Sequence, residues 1–318
     1  MTTPLLVRAT RLEAEGVLGV ELEAPDGSDL PAWESGAHLD LHLPGGVRQY
    51  SLCGDMADRS LYRLAVLHEP TGRGGSAYVH TLLRPGHVVT VTGPRNRFPL
   101  DEARDYLFVA GGIGITAILP MVTEVARRGV PFRLLYGGRS ARSMAFTHTL
   151  RPYADKVTIS PQDTHGLLDL ETALGLPRPG LAVYACGPEP LLKALEERTS
   201  PDHGWAPGTL HVERFAVPPP AETVGNLSND AGFEVVLART GTTVQVGPDT
   251  SVLDAVVAAG ADVISDCREG ICATCETKVL EGTVDHRDYV LTDAERASCS
   301  AMMVCVSRAS CSRLVLDL

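Results

Sequence analysis

Three cysteines at C-x4-C-x2-C spacing, in Cys267-Arg-Glu-Gly-Ile-Cys272-Ala-Thr-Cys275, constrain this 318-residue chain more than any other feature. Three thiolates in one loop and a fourth about thirty residues later is the ligand pattern of a plant-type 2Fe-2S cluster. Gly270, Ala273 and Thr274 are small enough for the loop to wrap an inorganic core. Cys299, Cys305 and Cys311 compete for the fourth position, 24, 30 and 36 residues after Cys275. The middle spacing, within Met303-Val-Cys-Val-Ser-Arg308, favours Cys305 and makes the other two bystanders. Structural zinc also takes four thiolates, but its sites pair two short hooks, unlike the three-plus-one pattern here.

A chain of this length accommodates two or three cores of about 100–150 residues each, and three are expected. Hydrophobic content of 44% with 21% charged residues is that of a folded globular protein. The net charge of −11 and the lack of a Lys/Arg-rich run argue against nucleic-acid binding, which needs a basic patch. No apolar stretch reaches membrane-spanning length, and Met1-Thr-Thr-Pro-Leu-Leu-Val-Arg8 lacks a signal-peptide pattern, so the expected compartment is the cytoplasm. In that reducing setting the clustered cysteines favour metal ligation over disulfides.

In chain order, residues 5–98 carry short, partly alternating apolar runs separated by Pro-Gly, Gly-Gly and Asp-Gly breakers, which predicts an antiparallel β-barrel. Within Arg48-Gln-Tyr-Ser-Leu-Cys53, strand alternation puts Arg48 and Tyr50 on one side, and an Arg suits a bidentate phosphate contact. The loop Gly72-Arg-Gly-Gly-Ser76 lets main-chain N–H groups approach an anion, with the Ser76 hydroxyl as a further donor. Either stretch alone also fits plain packing or a tight turn. Together they resemble the ferredoxin reductase-like flavoproteins, in which an R-x-Y-S motif binds the flavin and a later G-x-x-S segment binds its phosphate. That resemblance assigns Arg48, Tyr50, Ser51, Gly74, Gly75 and Ser76 to the flavin.

Next, the apolar run Tyr106-Leu-Phe-Val-Ala110 leads into Gly111-Gly-Ile-Gly-Ile-Thr116 and a helical pattern over residues 117–127. Strand, glycine turn and helix is a pyrophosphate-binding geometry, because the helix N-terminus offers unpaired N–H donors. Two more apolar runs, Phe132-Arg-Leu-Leu-Tyr136 and Leu181-Ala-Val-Tyr-Ala185, each followed by a Gly turn and a candidate helix, predict an α/β parallel sheet. The second leads into Cys186-Gly-Pro-Glu-Pro190, and C-G-P is the nucleotide-side signature of the same flavoproteins, where the Cys lies by nicotinamide and flavin. As residue chemistry alone, Cys186 also reads as a small buried hydrophobe. In the turn Gly137-Gly-Arg-Ser-Ala-Arg142, an acid would favour NADH and an arginine would accept a 2′-phosphate, so Arg139 and Arg142 leave NADPH open.

Residues 217–230 are rich in Pro and small polar residues and read as a linker between domains. Beyond it, Phe233-Glu-Val-Val-Leu and Thr243-Val-Gln-Val are strand-like, and Ser251-Val-Leu-Asp-Ala-Val-Val-Ala-Ala-Gly260 is a short helix with Ser251 as its N-cap and a Gly stop. The segment 231–318 holds 7 Lys/Arg against 13 Asp/Glu, which suits a basic partner, with solvated surface as the plainer reading. The histidines His38, His42, His68, His80 and His286 read as strand or loop polar residues, and none is nominated as catalytic.

All three segments, in this order, resemble phthalate dioxygenase reductase and its relatives, including vanillate O-demethylase-type reductases. The resemblance rests on Gly72-Arg-Gly-Gly-Ser76, Gly111-Gly-Ile-Gly-Ile-Thr116, Asp285-His-Arg-Asp288 and Val304-Cys-Val-Ser-Arg-Ala309. It implies an FMN-binding barrel in 1–100, an NAD-binding α/β domain in 101–216 and a plant-type 2Fe-2S ferredoxin domain, α+β and β-grasp-like, in 231–318. It further implies that Ala65 and Leu67 line FMN, that Ser51 donates to flavin N5, and that Thr116 and Cys186 lie where the two cofactors meet. Gly111, Gly112, Gly114, Arg139, Gly187 and Pro188 would hold the nucleotide, and Phe215 would flank the isoalloxazine. The implied activity is electron transfer from NADH through FMN and the cluster, held by Cys267, Cys272, Cys275 and Cys305, to a separate Rieske-type oxygenase. The sequence holds no C-x-H and C-x2-H pair for a Rieske centre of its own. A cytochrome P450 acceptor and a non-enzymatic metal-binding or redox-sensing module are the alternatives.

Overall fold

The computed structural model describes residues 2–215, 232–265 and 267–318, in two compact units that divide after Phe215. The expected linker, 217–230, lies outside the described residues. Among the described residues no helix is long and apolar enough to cross a membrane.

The first unit opens with β1 (Thr2–Ala14), β2 (Val17–Glu23), β3 (Ala37–Leu43), β4 (Gly46–Ser51), β5 (Tyr62–Leu67), helix α1 (Gly75–Thr81) and β6 (Val88–Asn96). The strands form an antiparallel barrel sheet in the order β4-β3-β6-β1-β2-β5. Alternation explains the core: Leu39, Leu41 and Leu43 of β3 point inward to meet Leu5, Val7, Val20, Leu22 and Leu64. The intervening His38 and Asp40 are also buried, because Gln49 donates to Asp40 at 3.0 Å and Arg95 ion-pairs with it. Burial pushes His38 down to about 4, so its ring is neutral at pH 7.

The second sheet of this unit comprises β7 (Asp105–Gly111), α2 (Ile115–Arg128), β8 (Phe132–Gly138), β9 (Val157–Pro161), the short helices α3 (Gln162–His165) and α4 (Leu170–Leu174), β10 (Leu181–Cys186), α5 (Glu189–Arg198) and β11 (Leu210–Glu213). All five strands are parallel, in the order β11-β10-β7-β8-β9. The chain therefore reverses its winding between β7 and β10, and a crevice for ligands opens beyond the C-terminal ends of such strands. Both faces are covered, as near-continuous apolar strands require. Tyr106, Phe108, Phe132, Tyr136 and Tyr184 pack on the α2 side, and Leu107, Val109, Leu135, Val183 and Leu195 on the other. The buried tyrosine hydroxyls find carbonyls: Tyr106 donates to Asp101 at 2.7 Å and Tyr136 to Ala145 at 3.1 Å. After β8 the chain makes only two 3₁₀ turns, Ala141–Ser143 and Arg151–Tyr153, where the sequence pattern suggested a helix.

The second unit contains β12 (Phe233–Leu237), β13 (Thr242–Val246), α6 (Val252–Ala258), β14 (Glu276–Glu281), β15 (Val284–Asp285), α7 (Asp293–Ser298), β16 (Ala301–Met303), β17 (Arg308–Ala309) and β18 (Arg313–Leu316). Its main sheet runs β13-β12-β18-β14-β16, with β12 and β18 parallel and the other neighbours antiparallel, a β-grasp-like mixed sheet. Val252, Leu253 and Val256 of α6 pack on Val235, Met302, Val304 and Leu314. Ser251 caps this helix by accepting the Asp254 N–H at 3.0 Å.

Phe108 is fully buried and stacks on Tyr106 with ring centroids 5.6 Å apart. Phe108→Ala should lower the unfolding free energy by about 3–5 kcal/mol in chemical denaturation, whereas a loss below about 1 kcal/mol would mean that the aromatic layer closes over the gap.

Candidate cofactor sites

On the barrel, β4 and the start of α1 converge. The Arg48 guanidinium donates to the carbonyls of Val47 at 2.6 Å, Arg73 at 3.1 Å and Gly45 at 3.3 Å, which lays it beside the Gly74–Gly75 turn. A Cβ on Gly75 would sit 2.7 Å from Arg48 Cγ, so glycine there is a packing requirement. Gly74, at φ 85, faces open space and precedes a helix whose first N–H groups have no side-chain cap. An arginine beside uncapped N–H groups and an open glycine is a donor set that fits a phosphate. The sequence reading made 72–76 a loop, yet Gly75 and Ser76 already belong to α1, and the Ser76 hydroxyl accepts the Glu69 N–H at 3.0 Å. Farther along β4, burial pushes Tyr50 up to about 12, which keeps its hydroxyl neutral. Ala65 is buried in the core shared with the parallel sheet, and Leu67 packs against it.

At the C-terminal ends of β7 and β10 the two glycine-containing turns touch. A Cβ on Gly114 would overlap the Cys186 carbonyl, one on Gly111 would lie 2.6 Å from Pro188 Cδ, and one on Gly187 would lie 3.0 Å from Gly111 Cα. These three glycines let two strand ends meet, a role beyond the phosphate approach inferred from sequence. Gly112, at φ 55, has nothing in front of it and is the one glycine of the turn that faces open space. Thr116 is buried in the first turn of α2, its hydroxyl donating to the Ile113 carbonyl at 2.9 Å.

Beside this contact lies a group that the sequence reading missed. Ser51 donates to Glu213 Oε2 at 3.5 Å, joining the end of β4 to the end of β11 across 162 residues. Glu213 keeps some solvent access, but its carboxyl is enclosed closely enough that burial raises its pKa to about 8 against the Ser51 hydrogen bond. Cys186 is fully buried, and burial, then the Glu213 charge, pushes its thiol far up, so it is no thiolate. Ser51, Cys186 and Glu213 thus form a trio that carries its protons at neutral pH. The next residue, Arg214, turns away to pair with Glu189 at 3.1 Å and Glu196 at 2.6 Å. Phe215 follows, 43% exposed. At the end of β8, Arg139 is exposed and its carbonyl accepts the Asp163 N–H at 3.1 Å, which brings an unforeseen acid to that turn. Arg142 instead faces Glu15 of the barrel at 3.6 Å.

In the second unit the four nominated cysteines converge as two pairs, Cys267 with Cys272 and Cys275 with Cys305. Arg268, Gly270 and Ala273 take left-handed φ values of 57, 72 and 56°, which turn main-chain N–H groups inward. The Glu269 N–H reaches Cys267 Sγ at 3.3 Å, and the N–H groups of Ile271, Thr274 and Gly270 are directed at Cys267, Cys272 and Cys305. Within the pairs, the neighbouring thiol pulls Cys267 and Cys275 below the ordinary thiol value, while Cys272 and Cys305 are pushed up. Among the described residues no three His, Cys, Asp or Glu side chains are grouped as around a single ion. Two thiol pairs lined by N–H donors fit a two-iron cluster, which the four cysteines would hold. Cys299 caps α7 at φ 47, and Cys311 contacts the Thr283 N–H and the Arg313 carbonyl, both apart from this grouping.

Residues 235–310 match the family model described as "2Fe-2S iron-sulfur cluster binding domain". Barrel, parallel sheet and four-cysteine β-grasp unit together define an iron–sulfur oxidoreductase of the kind that serves oxygenase systems as their reductase component. The chain is 41% identical over 317 residues to phenoxybenzoate dioxygenase subunit beta of Ectopseudomonas oleovorans, covering 99% of this chain and 97% of that protein. The solved structure of phthalate dioxygenase reductase, described as modular for electron transfer from pyridine nucleotides to [2Fe-2S], is 36% identical with a TM-score of 0.71 over 100% of this chain and 98% of that one. An intact type IV self-sufficient cytochrome P450 monooxygenase is 44% identical with a TM-score of 0.92, covering 100% of this chain, which spans 41% of that longer one. The chain belongs to the phthalate dioxygenase reductase family.

Cys305→Ser should abolish the intact cluster spectrum while leaving nucleotide-driven flavin reduction in place; an unchanged cluster would pass the fourth ligand to Cys299 or Cys311. For Glu213, the folded chain keeps a proton that the unfolded chain releases above the ordinary value of 4.5. Its contribution to stability is therefore full below 4.5 and is lost as pH rises to about 8. Glu213→Gln should flatten this decline in denaturant midpoints measured from pH 5 to 8, and a pH-independent difference between the two proteins would contradict the assignment.

Proposed function

We propose that this chain takes electrons from NADH through FMN and passes them singly, through a 2Fe-2S cluster on Cys267, Cys272, Cys275 and Cys305, to a separate Rieske-type terminal oxygenase in the cytoplasm. The observation that carries the reading is the meeting of Ser51, Cys186 and Glu213 where the barrel adjoins the C-terminal ends of the parallel strands. A bound flavin supplies the chemistry, accepting two electrons at once and releasing them one at a time.

The chain's own residues bind and orient. Arg48, Gly74, Gly75 and Ser76 hold the FMN phosphate, while Tyr50, Ala65 and Leu67 line the ring and Phe215 flanks it. Ser51 would turn its hydroxyl proton from Glu213 to flavin N5, with the protonated Glu213 carboxyl then donating to the Ser51 oxygen. Cys186 and Thr116 pack where nicotinamide and flavin meet. Gly111, Gly112 and Gly114 bring the N-terminus of α2 to the pyrophosphate, and Gly187 and Pro188 shape the opposite wall. In domain terms, 1–100 binds FMN, 101–216 binds NAD, 217–230 links, and 231–318 carries the cluster.

Asp163 beside Arg139 supports NADH, since a carboxylate accepts from a ribose hydroxyl and repels a 2′-phosphate. The likeness to a self-sufficient P450 supports a second acceptor, a cytochrome P450. Reconstitution separates the two: NADH-dependent turnover of a Rieske oxygenase but not of a P450 supports the first, and the reverse overturns it. For the coenzyme, the ratio of kcat/KM for NADH over NADPH with a dye acceptor should favour NADH and fall by about tenfold in Asp163→Ala, a difference of about 1.4 kcal/mol. A preference for NADPH that disappears in Arg139→Ala would reverse the assignment.

A further inference from the structure

One buried acidic residue in the second unit adjoins both segments that carry the cluster cysteines, its carboxylate on the Cys305 side and its backbone on the Gly270 side. Asp288 is 3% exposed, in the loop between β15 and α7. Its Oδ2 accepts the N–H groups of Leu291 at 2.9 Å and Val290 at 3.1 Å, and its Oδ1 accepts the Ser307 hydroxyl at 3.4 Å. Ser307 stands two positions beyond Cys305 and in turn accepts the Arg287 N–H at 3.2 Å. On the other side, the Tyr289 N–H holds the Gly270 carbonyl at 2.9 Å, while the Gly270 N–H is directed at Cys305. The approach is tight: a Cβ on Gly270 would lie 3.0 Å from Asp288 Cα and 2.7 Å from Val306 Cγ2.

Among the described residues, two basic side chains lie within 4 Å of this carboxylate. His286 Nδ1 lies 3.6 Å from Oδ1, with both ring nitrogens buried and lacking a hydrogen-bond partner. Arg296 Nη2 lies 3.9 Å from Oδ2 and donates to the Asp288 carbonyl at 2.6 Å. A carboxylate in a low-dielectric interior acts over several ångströms with little screening. Placed against the loop that wraps the cluster, it opposes the arrival of an electron there, and Arg296 offsets part of that opposition.

We propose that Asp288 is a positioning residue with an electrostatic function: it ties the Gly270 turn to the Cys305 segment, and its buried charge holds the cluster's reduction potential down. Arg296 tunes the same property in the opposite sense. This rests on the cluster reading above, and the experiment separates the two.

The full-length chain, as isolated with its cofactors, is titrated potentiometrically with the reduced-cluster EPR signal as readout. Asp288→Asn keeps the shape and one acceptor oxygen but removes the charge, so the midpoint should rise by the equivalent of about a tenfold change in the one-electron reduction equilibrium, about 59 mV. Arg296→Gln removes the compensating charge and should lower the midpoint. Should Asp288→Asn fail to retain a cluster, the sign of the Arg296→Gln shift decides alone. Midpoints unchanged from wild type, or shifted in the same direction in both variants, would overturn the electrostatic role and leave a strut. Absence of the EPR signal from the wild-type chain would instead sink the cluster reading itself.

Discussion

The contact that the first unit depends on is the approach of Gly114 to the Cys186 carbonyl, which no side chain at position 114 would permit. It places the start of α2 directly against the end of β10, and the parallel register then sets Glu213 of β11 beside Cys186. The barrel adds Ser51 from the end of β4. Three proton-bearing groups from three distant stretches thus share one small region, each made harder to ionise or held in place by the others. Burial does most of this, because desolvation disfavours a charged carboxylate and a charged thiolate alike. Groups that stay neutral suit a site where two electrons pass between bound rings, since stray charge there would favour one redox state over another.

The second unit solves a different problem with main-chain geometry. Two non-glycine residues of the cysteine loop, Arg268 and Ala273, adopt left-handed conformations. Each costs about 1–2 kcal/mol, and the return is a set of N–H groups aimed at sulfur. Sulfur–iron bonds and N–H···S contacts would offset that strain in the cluster-loaded protein, so that loop conformation and cofactor would support each other. Arg268 also pairs with Asp254 at 2.9 Å, next to the Ser251 cap of α6, which anchors the loop's entry.

Much of this was legible in the sequence because the informative signals were local. The C-x4-C-x2-C spacing, the alternation of β3 and β4 and the strand–glycine–helix run of β7 and α2 each lie within about twenty residues, a range over which periodicity and turn chemistry speak directly. What escaped was set by pairing across the chain. Glu213 reads as an ordinary strand glutamate until β11 is laid beside β10, and Asp163 as a loop acid until β9 is laid beside β8. His38 reads as a strand or loop polar residue, yet it is buried with its neighbour Asp40, on which Gln49 and Arg95, at the end of β6, converge. Gly111, Gly114 and Gly187 were legible as necessary, but their main duty, letting two strand ends touch, appears only in three dimensions.

The central claim is that one chain converts a two-electron donor into single electrons. An anaerobic titration of the full-length protein with NADH, following flavin absorbance and the EPR signal of the reduced cluster together, tests it most directly. The account predicts that each chain takes up two electrons in the flavin and one in the cluster, with the cluster signal appearing as NADH is consumed. A protein that bleaches its flavin with NADH while an intact cluster stays oxidised would contradict it.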